Sequence, residues 1–160
     1  MNKKEAVFGA GCFWGVEDVF MKVPGVIETE VGFMGGEIPN PTYKDVGYKN
    51  TGHVEVVHLF YDEDKVSYLK LLEIFFKIHN PTQEDGQGPD LGSQYRSVIF
   101  YYSDNQKKEA LDYIKKLEET KKFAKPIVTS VEKAKIFYRA EEYHQKYTQK
   151  TGRGGCHISI

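Results

Sequence analysis

The sequence predicts an α+β fold, a two-layer sandwich in which helices pack on one mixed β-sheet. Three observations carry that expectation. The chain has 160 residues, enough for one domain with a proper core. Its composition, 40% hydrophobic and 28% charged, is that of a soluble globular protein. Segments with strand and helix periods follow one another as strand, helix, strand, strand, helix, strand, helix, strand.

Ala6 to Ala10 reads as a short buried strand. Gly11-Cys12-Phe13-Trp14-Gly15 is a turn that leads into a helix over about Val16 to Val23, and Pro24-Gly25 stops it. Val26 to Phe33 alternates as a strand does. Residues 35 to 52 are rich in Gly, Pro, Asn and Thr and read as a long ordered loop, the kind that carries function. Val54 to Tyr61 is the strongest strand; apolar residues on both of its faces make it central. Ser67 to His79 has a helical apolar stripe through Leu69, Leu72, Phe75 and Phe76, ended by Asn80-Pro81. Gln83 to Gln94 is a second glycine-rich loop. Ser97 to Tyr102 is a strand. Ser103 and Gln106 have capping-box spacing and open a helix to about Lys121. Ile127 to Val131 is the last clear strand, and Glu141 to Gln149 a short helix. This order fits a ferredoxin-like, split βαβ arrangement, with parallel pairing inside the βαβ unit and antiparallel pairing elsewhere.

Composition excludes several functions. The net charge of -1 gives no global pull toward nucleic acid or an anionic membrane. No apolar stretch is long enough to span a bilayer, and the N-terminus lacks the apolar region and cleavage site of a signal peptide, so a cytoplasmic location is expected. Nothing demands more than a monomer. The two cysteines, Cys12 and Cys156, cannot form a secreted disulfide framework. They are either unrelated thiols or a redox pair formed during turnover. Histidines 53, 58, 79, 144 and 157 show no metal-ligand spacing with the cysteines and read as structural or surface residues. Gly9-Ala10-Gly11 lacks the third glycine of a phosphate loop. No bound cofactor or metal is expected.

Cys12 stands at a strand-to-helix turn, where unpaired backbone N–H groups stabilise a thiolate near neutral pH. Position alone leaves a reactive cysteine and an inert buried one evenly balanced. The surrounding residues go further. Gly11-Cys12-Phe13-Trp14-Gly15 resembles the active-site signature of the A-type peptide methionine sulfoxide reductases. The likeness continues, in order, through Gly35-Gly36, Asn40-Pro41-Thr42-Tyr43, Thr51-Gly52-His53-Val54-Glu55, the run from Gln87 to Ser97, and Ala140-Glu141-Glu142-Tyr143-His144-Gln145. It covers nearly the whole chain.

The resemblance implies reduction of the S epimer of methionine sulfoxide, free or in proteins, with protein repair as the outcome. It implies Cys12 as the nucleophile that becomes a sulfenic acid. Phe13 and Trp14 would hold the S-methyl group. Glu55 would protonate the sulfoxide oxygen, with Tyr43 and Tyr95 hydrogen-bonded to it. Asp90 would be a second acidic residue organising the site, and Cys156 the resolving cysteine. Thioredoxin, or dithiothreitol in vitro, would be the external reductant. Residues 1–150 would then be a single catalytic domain, and 151–160 a mobile C-terminal tail carrying Cys156.

The chemistry of the residues agrees in part. A sulfoxide sulfur is a poor electrophile until its oxygen is protonated or strongly hydrogen-bonded, which a neutral carboxylic acid and two phenols can do. Burial in an apolar strand should keep Glu55 protonated; taken alone, it reads more readily as an edge residue paired with a Lys or Arg. Alone, Tyr43 and Tyr95 read as packing residues and Asp90 as a turn former. The chain departs from many relatives at Phe33-Met34 before the glycine pair, at Gly47 where another cysteine is common, and in having a single tail cysteine. Two rivals remain at this point. One is a different thiol enzyme, a peroxidase or a hydrolase with a histidine base. The other is an RNA-binding module, disfavoured by the near-zero charge.

Overall fold

The computed structural model describes residues 2–48 and 51–152. Its elements in chain order are β1 (Lys3–Ala10), α1 (Phe13–Met21), β2 (Val26–Met34), α2 (Tyr43–Tyr48), β3 (Val54–Asp62), α3 (Tyr68–Lys77), β4 (Gly86–Gln87), β5 (Asp90–Leu91), β6 (Ser97–Tyr101), α4 (Asp104–Glu119), β7 (Ser130–Lys133), β8 (Tyr138–Arg139) and α5 (Tyr147–Thr151). Single 3₁₀ turns lie at Ser93–Tyr95 and Glu142–His144.

Six strands form one mixed sheet in the order β7-β6-β1-β3-β2-β8. Without its two edge strands this is β6-β1-β3-β2, the split βαβ order of a ferredoxin-like fold. As expected, β3 is central; all its residues but Phe60 are buried. The pairing differs from expectation in one respect. β1 and β2 do not pair within their βαβ unit, because β3 lies between them and runs antiparallel to both. The parallel pair is β6–β7, across α4.

One face of the sheet carries the larger core, including Phe8, Phe20, Leu59, Leu71, Phe75 and Ile99, under the helices. Val7, Met34, Val56 and Phe100 make a smaller cluster on the other face, covered by Ala134 and Phe137. Ser67 Oγ accepts from the N–H of Lys70 to start α3. Ser103 Oγ accepts from that of Gln106 to start α4. The capping box there is only half formed, because the Gln106 side chain instead accepts from Tyr102 N–H and donates to the Glu5 carbonyl.

Four other boundaries depart from the sequence reading. α1 begins at once after Cys12 rather than at Val16, because Gly11 turns the chain at a φ of 96° and Cys12 occupies the N-cap. The loop 35–52 contains α2, opened by a reciprocal cap: Thr42 Oγ1 accepts from Asp45 N–H and Asp45 Oδ2 accepts from Thr42 N–H. The last expected strand, at 127–131, is shifted to Ser130–Lys133, and β8 follows it. β8 docks where Gly32 has no side chain; a Cβ there would overlap the Tyr138 carbonyl and the Phe137 ring. Finally, the helix expected over 141–149 is broken. The Gln145 amide accepts from Val31 N–H and donates to the carbonyls of Val31 and Ala140, holding its own backbone extended. Lys146 then takes a φ of 51° and donates its N–H to Glu17. Glu17, buried in α1, also accepts from the Thr29 hydroxyl, and Asp18 accepts from the Thr148 hydroxyl. α1 thereby anchors α5. α5 runs to Thr151, one residue into the expected tail, and residues 153–160 lie outside the described residues.

Candidate active site

The C-terminal end of β1, the start of β3 and the two glycine-rich loops meet at one end of the sheet. Cys12 is 7% exposed and caps a nine-residue helix. The N–H of Phe13, the first residue of that helix, donates to Glu55 Oε1 at 3.1 Å. Glu55 is buried on β3 beside the nucleophile's turn. Burial raises its pKa to about 8 and the nearby Asp90 charge pushes the same way, while the Phe13 N–H opposes. Near neutral pH this carboxyl is largely a neutral acid.

Tyr43, at the start of α2, and Tyr95, in the second loop, share a hydrogen bond between their side chains. Burial raises both phenol pKa values, and the Glu55 charge adds to it. Asp90 lies in the small β4–β5 hairpin, close enough for its charge to act on Glu55 and Tyr95. The structure thus gathers Cys12, Phe13, Trp14, Tyr43, Glu55, Asp90 and Tyr95. Cys156 lies outside the described residues.

Phe13 and Trp14 form an aromatic wall with partners that the sequence reading did not assign. Trp14 stacks on Tyr147 with ring centroids 3.9 Å apart. Its indole N–H donates to His144 Nδ1 at 2.9 Å. His144 is 1% exposed, with its ring against Tyr43 and Phe13. Since indole is only a donor, Nδ1 is the acceptor and the proton sits on Nε2. Nε2 is buried with no hydrogen-bond partner among the described residues. Burial lowers the pKa of His144, against the Glu141 charge, so the ring is neutral. Glu141 accepts from the backbone N–H of Tyr43 at 3.2 Å. The segment 140–145 was part of the collinear likeness, yet no local pattern announces that His144 and Glu141 fold back onto the pocket. The other described histidines are structural, as the sequence suggested. His53, for example, accepts from Gly36 N–H and donates to the Ile38 carbonyl, pinning the first loop.

No group of three or more His, Cys, Asp or Glu among the described residues could hold a metal ion. Among the described residues, no helix is long and apolar enough to cross a membrane.

The arrangement has known counterparts. The family model described as peptide methionine sulfoxide reductase matches residues 4–160. The peptide methionine sulfoxide reductase MsrA of Methanothermobacter thermautotrophicus is 54% identical over 155 residues, covering 97% of this chain and 92% of that protein. The MsrA of Acidobacterium capsulatum is 51% identical, covering 96% and 99%. Among solved structures, reduced Mxr1 from Saccharomyces cerevisiae superposes with a TM-score of 0.89 at 36% identity, covering 98% of this chain and 90% of that one. Mxr1 in complex with Trx2 matches with a TM-score of 0.66 at 25% identity, over 99% and 89%.

Proposed function

The chain belongs to the peptide methionine sulfoxide reductase family, and from that premise we propose which of its residues perform the reaction. The enzyme is an oxidoreductase that returns methionine sulfoxide to methionine, with thioredoxin restoring its thiols. Cys12, as a thiolate held by the N-terminus of α1, attacks the sulfoxide sulfur. Glu55 donates its proton to the oxygen, and the Tyr43 and Tyr95 hydroxyls hydrogen-bond to it. The sulfoxide leaves as a thioether, and its oxygen remains on Cys12 as a sulfenic acid. The thiol of Cys156, in the tail 151–160, then displaces that oxygen as water, forming a Cys12–Cys156 disulfide. The thioredoxin dithiol reduces it.

The observation that carries this reading is Glu55, a buried carboxyl with a pKa of about 8 bonded to the residue next to Cys12. Phe13 and Trp14 take the S-methyl group, and Asp90 organises the polar side through its charge on Glu55 and Tyr95. With methyl, oxygen and thiolate each assigned a direction, the pocket accepts one epimer, and the family resemblance makes it the S epimer. The electrons come from thiols, so no metal or other cofactor is required. We take residues 1–150 as the catalytic domain, working as a monomer in a reducing, cytoplasmic compartment, with no nucleic acid or membrane as partner. A cysteine-hydrolase reading would need a histidine base at Cys12. His144 is committed through Nδ1 to Trp14 and carries its proton on Nε2.

The test is turnover of the two epimers of a methionine sulfoxide peptide with dithiothreitol, beside a peroxide and an ester. Reduction of the S epimer alone, lost in Cys12→Ser, is expected. Equal rates for both epimers, or activity in Cys12→Ser, would overturn the assignment.

A further inference from the structure

A cavity of about 410 Å³ opens between the turn Asn40–Thr42 and the segment Phe137–Glu141. It has no part in the chemistry described above, yet it borders the residues that perform it. Thr42 on its wall precedes Tyr43, and Glu141 on the opposite wall accepts the Tyr43 N–H. The sheet gives the spacing. Glu55 pairs with Phe33 across β3 and β2, and Phe33 pairs with Tyr138 across β2 and β8. Partners in register stand on the same face, so Tyr138 shares the face of Glu55, two strand spacings or about 10 Å away with Phe33 between them. An extended peptide covers that distance in about three residues.

The lining indicates what would sit there. Pro41 and Tyr138 offer apolar walls, and the Tyr138 ring is braced edge-on by His53. The cation of the cavity, Arg139, is bound by Glu30 at 2.9 Å and Glu142 at 2.7 Å. Lys150 also reaches Glu142, at 3.5 Å. The Glu141 carboxylate adds a negative charge. An acidic side chain entering would meet an occupied guanidinium and a like charge, whereas an apolar one would lose water against the rings.

We propose that this cavity is a subsite for the polypeptide flanking the oxidised methionine, and that it takes an apolar side chain about three residues away. The proposal rests on the sulfoxide reductase reading and adds to it a sequence preference among protein substrates.

The experiment compares kcat/KM for free methionine sulfoxide and for S-epimer peptides carrying Leu or Asp three residues before or after the sulfoxide. On one side Leu should exceed Asp by about tenfold, the usual scale for apolar pocket discrimination. Tyr138→Ala should bring that ratio toward one, chiefly by raising KM for the Leu peptide. Glu141→Gln keeps the acceptor for Tyr43 and should narrow the ratio from the other direction, by admitting Asp. Equal use of Leu and Asp peptides on both sides, or a preference unchanged in both variants, overturns the subsite while leaving the reaction intact. A protein that reduces neither the free nor any peptide sulfoxide overturns the reaction reading itself, and the subsite with it.

Discussion

Replacing Glu55 with Gln removes a transferable proton and little else. The amide oxygen can still accept the Phe13 N–H, and the volume is unchanged. Two consequences can be worked from the position of this carboxyl. The first is catalytic: general acid catalysis contributes about 10²–10⁴-fold, so kcat/KM should fall by that factor. In the wild type kcat/KM should also fall about tenfold per pH unit above about 8, where the acid is lost. A thiolate at Cys12 would push this limb higher still. In Glu55→Gln the limb should vanish. The second is thermodynamic. The folded protein holds the Glu55 proton up to about pH 8, while an unfolded Glu releases it near 4.5. A raised pKa means that the associated stability is fully present below 4.5 and is lost as pH rises to about 8. The loss is about 1.4 kcal/mol per pH unit, in total on the order of 5 kcal/mol. Urea unfolding at pH 5 and pH 9 should therefore show the variant gaining several kcal/mol on the wild type at the higher pH. Parallel stability curves for the two proteins, or an unchanged alkaline limb in the variant, would refute the reasoning.

Other outcomes follow from the same geometry. Tyr43→Phe and Tyr95→Phe should each cost less than Glu55→Gln in single-turnover rate, because the remaining donors still hold the oxygen; the double variant should approach it. His144→Phe keeps a ring in the wall but leaves the half-buried Trp14 indole N–H without its acceptor. A loss of about 1–3 kcal/mol is expected on thermal unfolding, with a raised KM for sulfoxide peptide. Cys156→Ser should complete one turnover, measured as one methionine per enzyme, then stall with thioredoxin and recover partly with dithiothreitol. Normal recycling of that variant with thioredoxin would remove Cys156 from its role.

Much of the fold was legible because it rests on local pattern. Val54 to Tyr61 announced a central strand by being apolar on both faces, and Ser67 and Ser103 sit at the helix starts that their types suggest. Two of the failures have a common cause, a partner distant in the chain. β8 is only two residues long and exists because Gly32, more than a hundred positions earlier, has no side chain. The break at Gln145 comes from an amide clamped to Val31. α2 had a local signal, Thr42 with Asp45, but it was masked by Gly, Pro and Asn on either side. The site shows the same division. The turn at Cys12 left a reactive and an inert cysteine evenly balanced, and Glu55 on its apolar strand read more readily as an edge residue, so both needed the collinear series. Tyr43, Tyr95 and Asp90 were unremarkable one at a time, and only the collinear series singled them out before the fold gathered them. His144 was read as structural because its value to the pocket lies in one bond to Trp14, 130 residues away.

With Cys156 in the proposed resolving role, the anchoring of α5 to α1 also bears on the timing of the second half of the cycle. Cys12 begins α1, while Glu17 and Asp18 of the same helix fasten the chain at Lys146 and Thr148. Tyr147 is laid flat on Trp14. From Gly152 only four residues lead to Cys156, a leash of at most about 14 Å. Where the leash spans the distance to Cys12, its thiol would meet the sulfenic acid at a millimolar or higher local concentration, however dilute the enzyme. Closing the disulfide is then a first-order event. It outruns any external thiol present at micromolar levels, and thioredoxin meets a finished disulfide rather than the more fragile sulfenic acid.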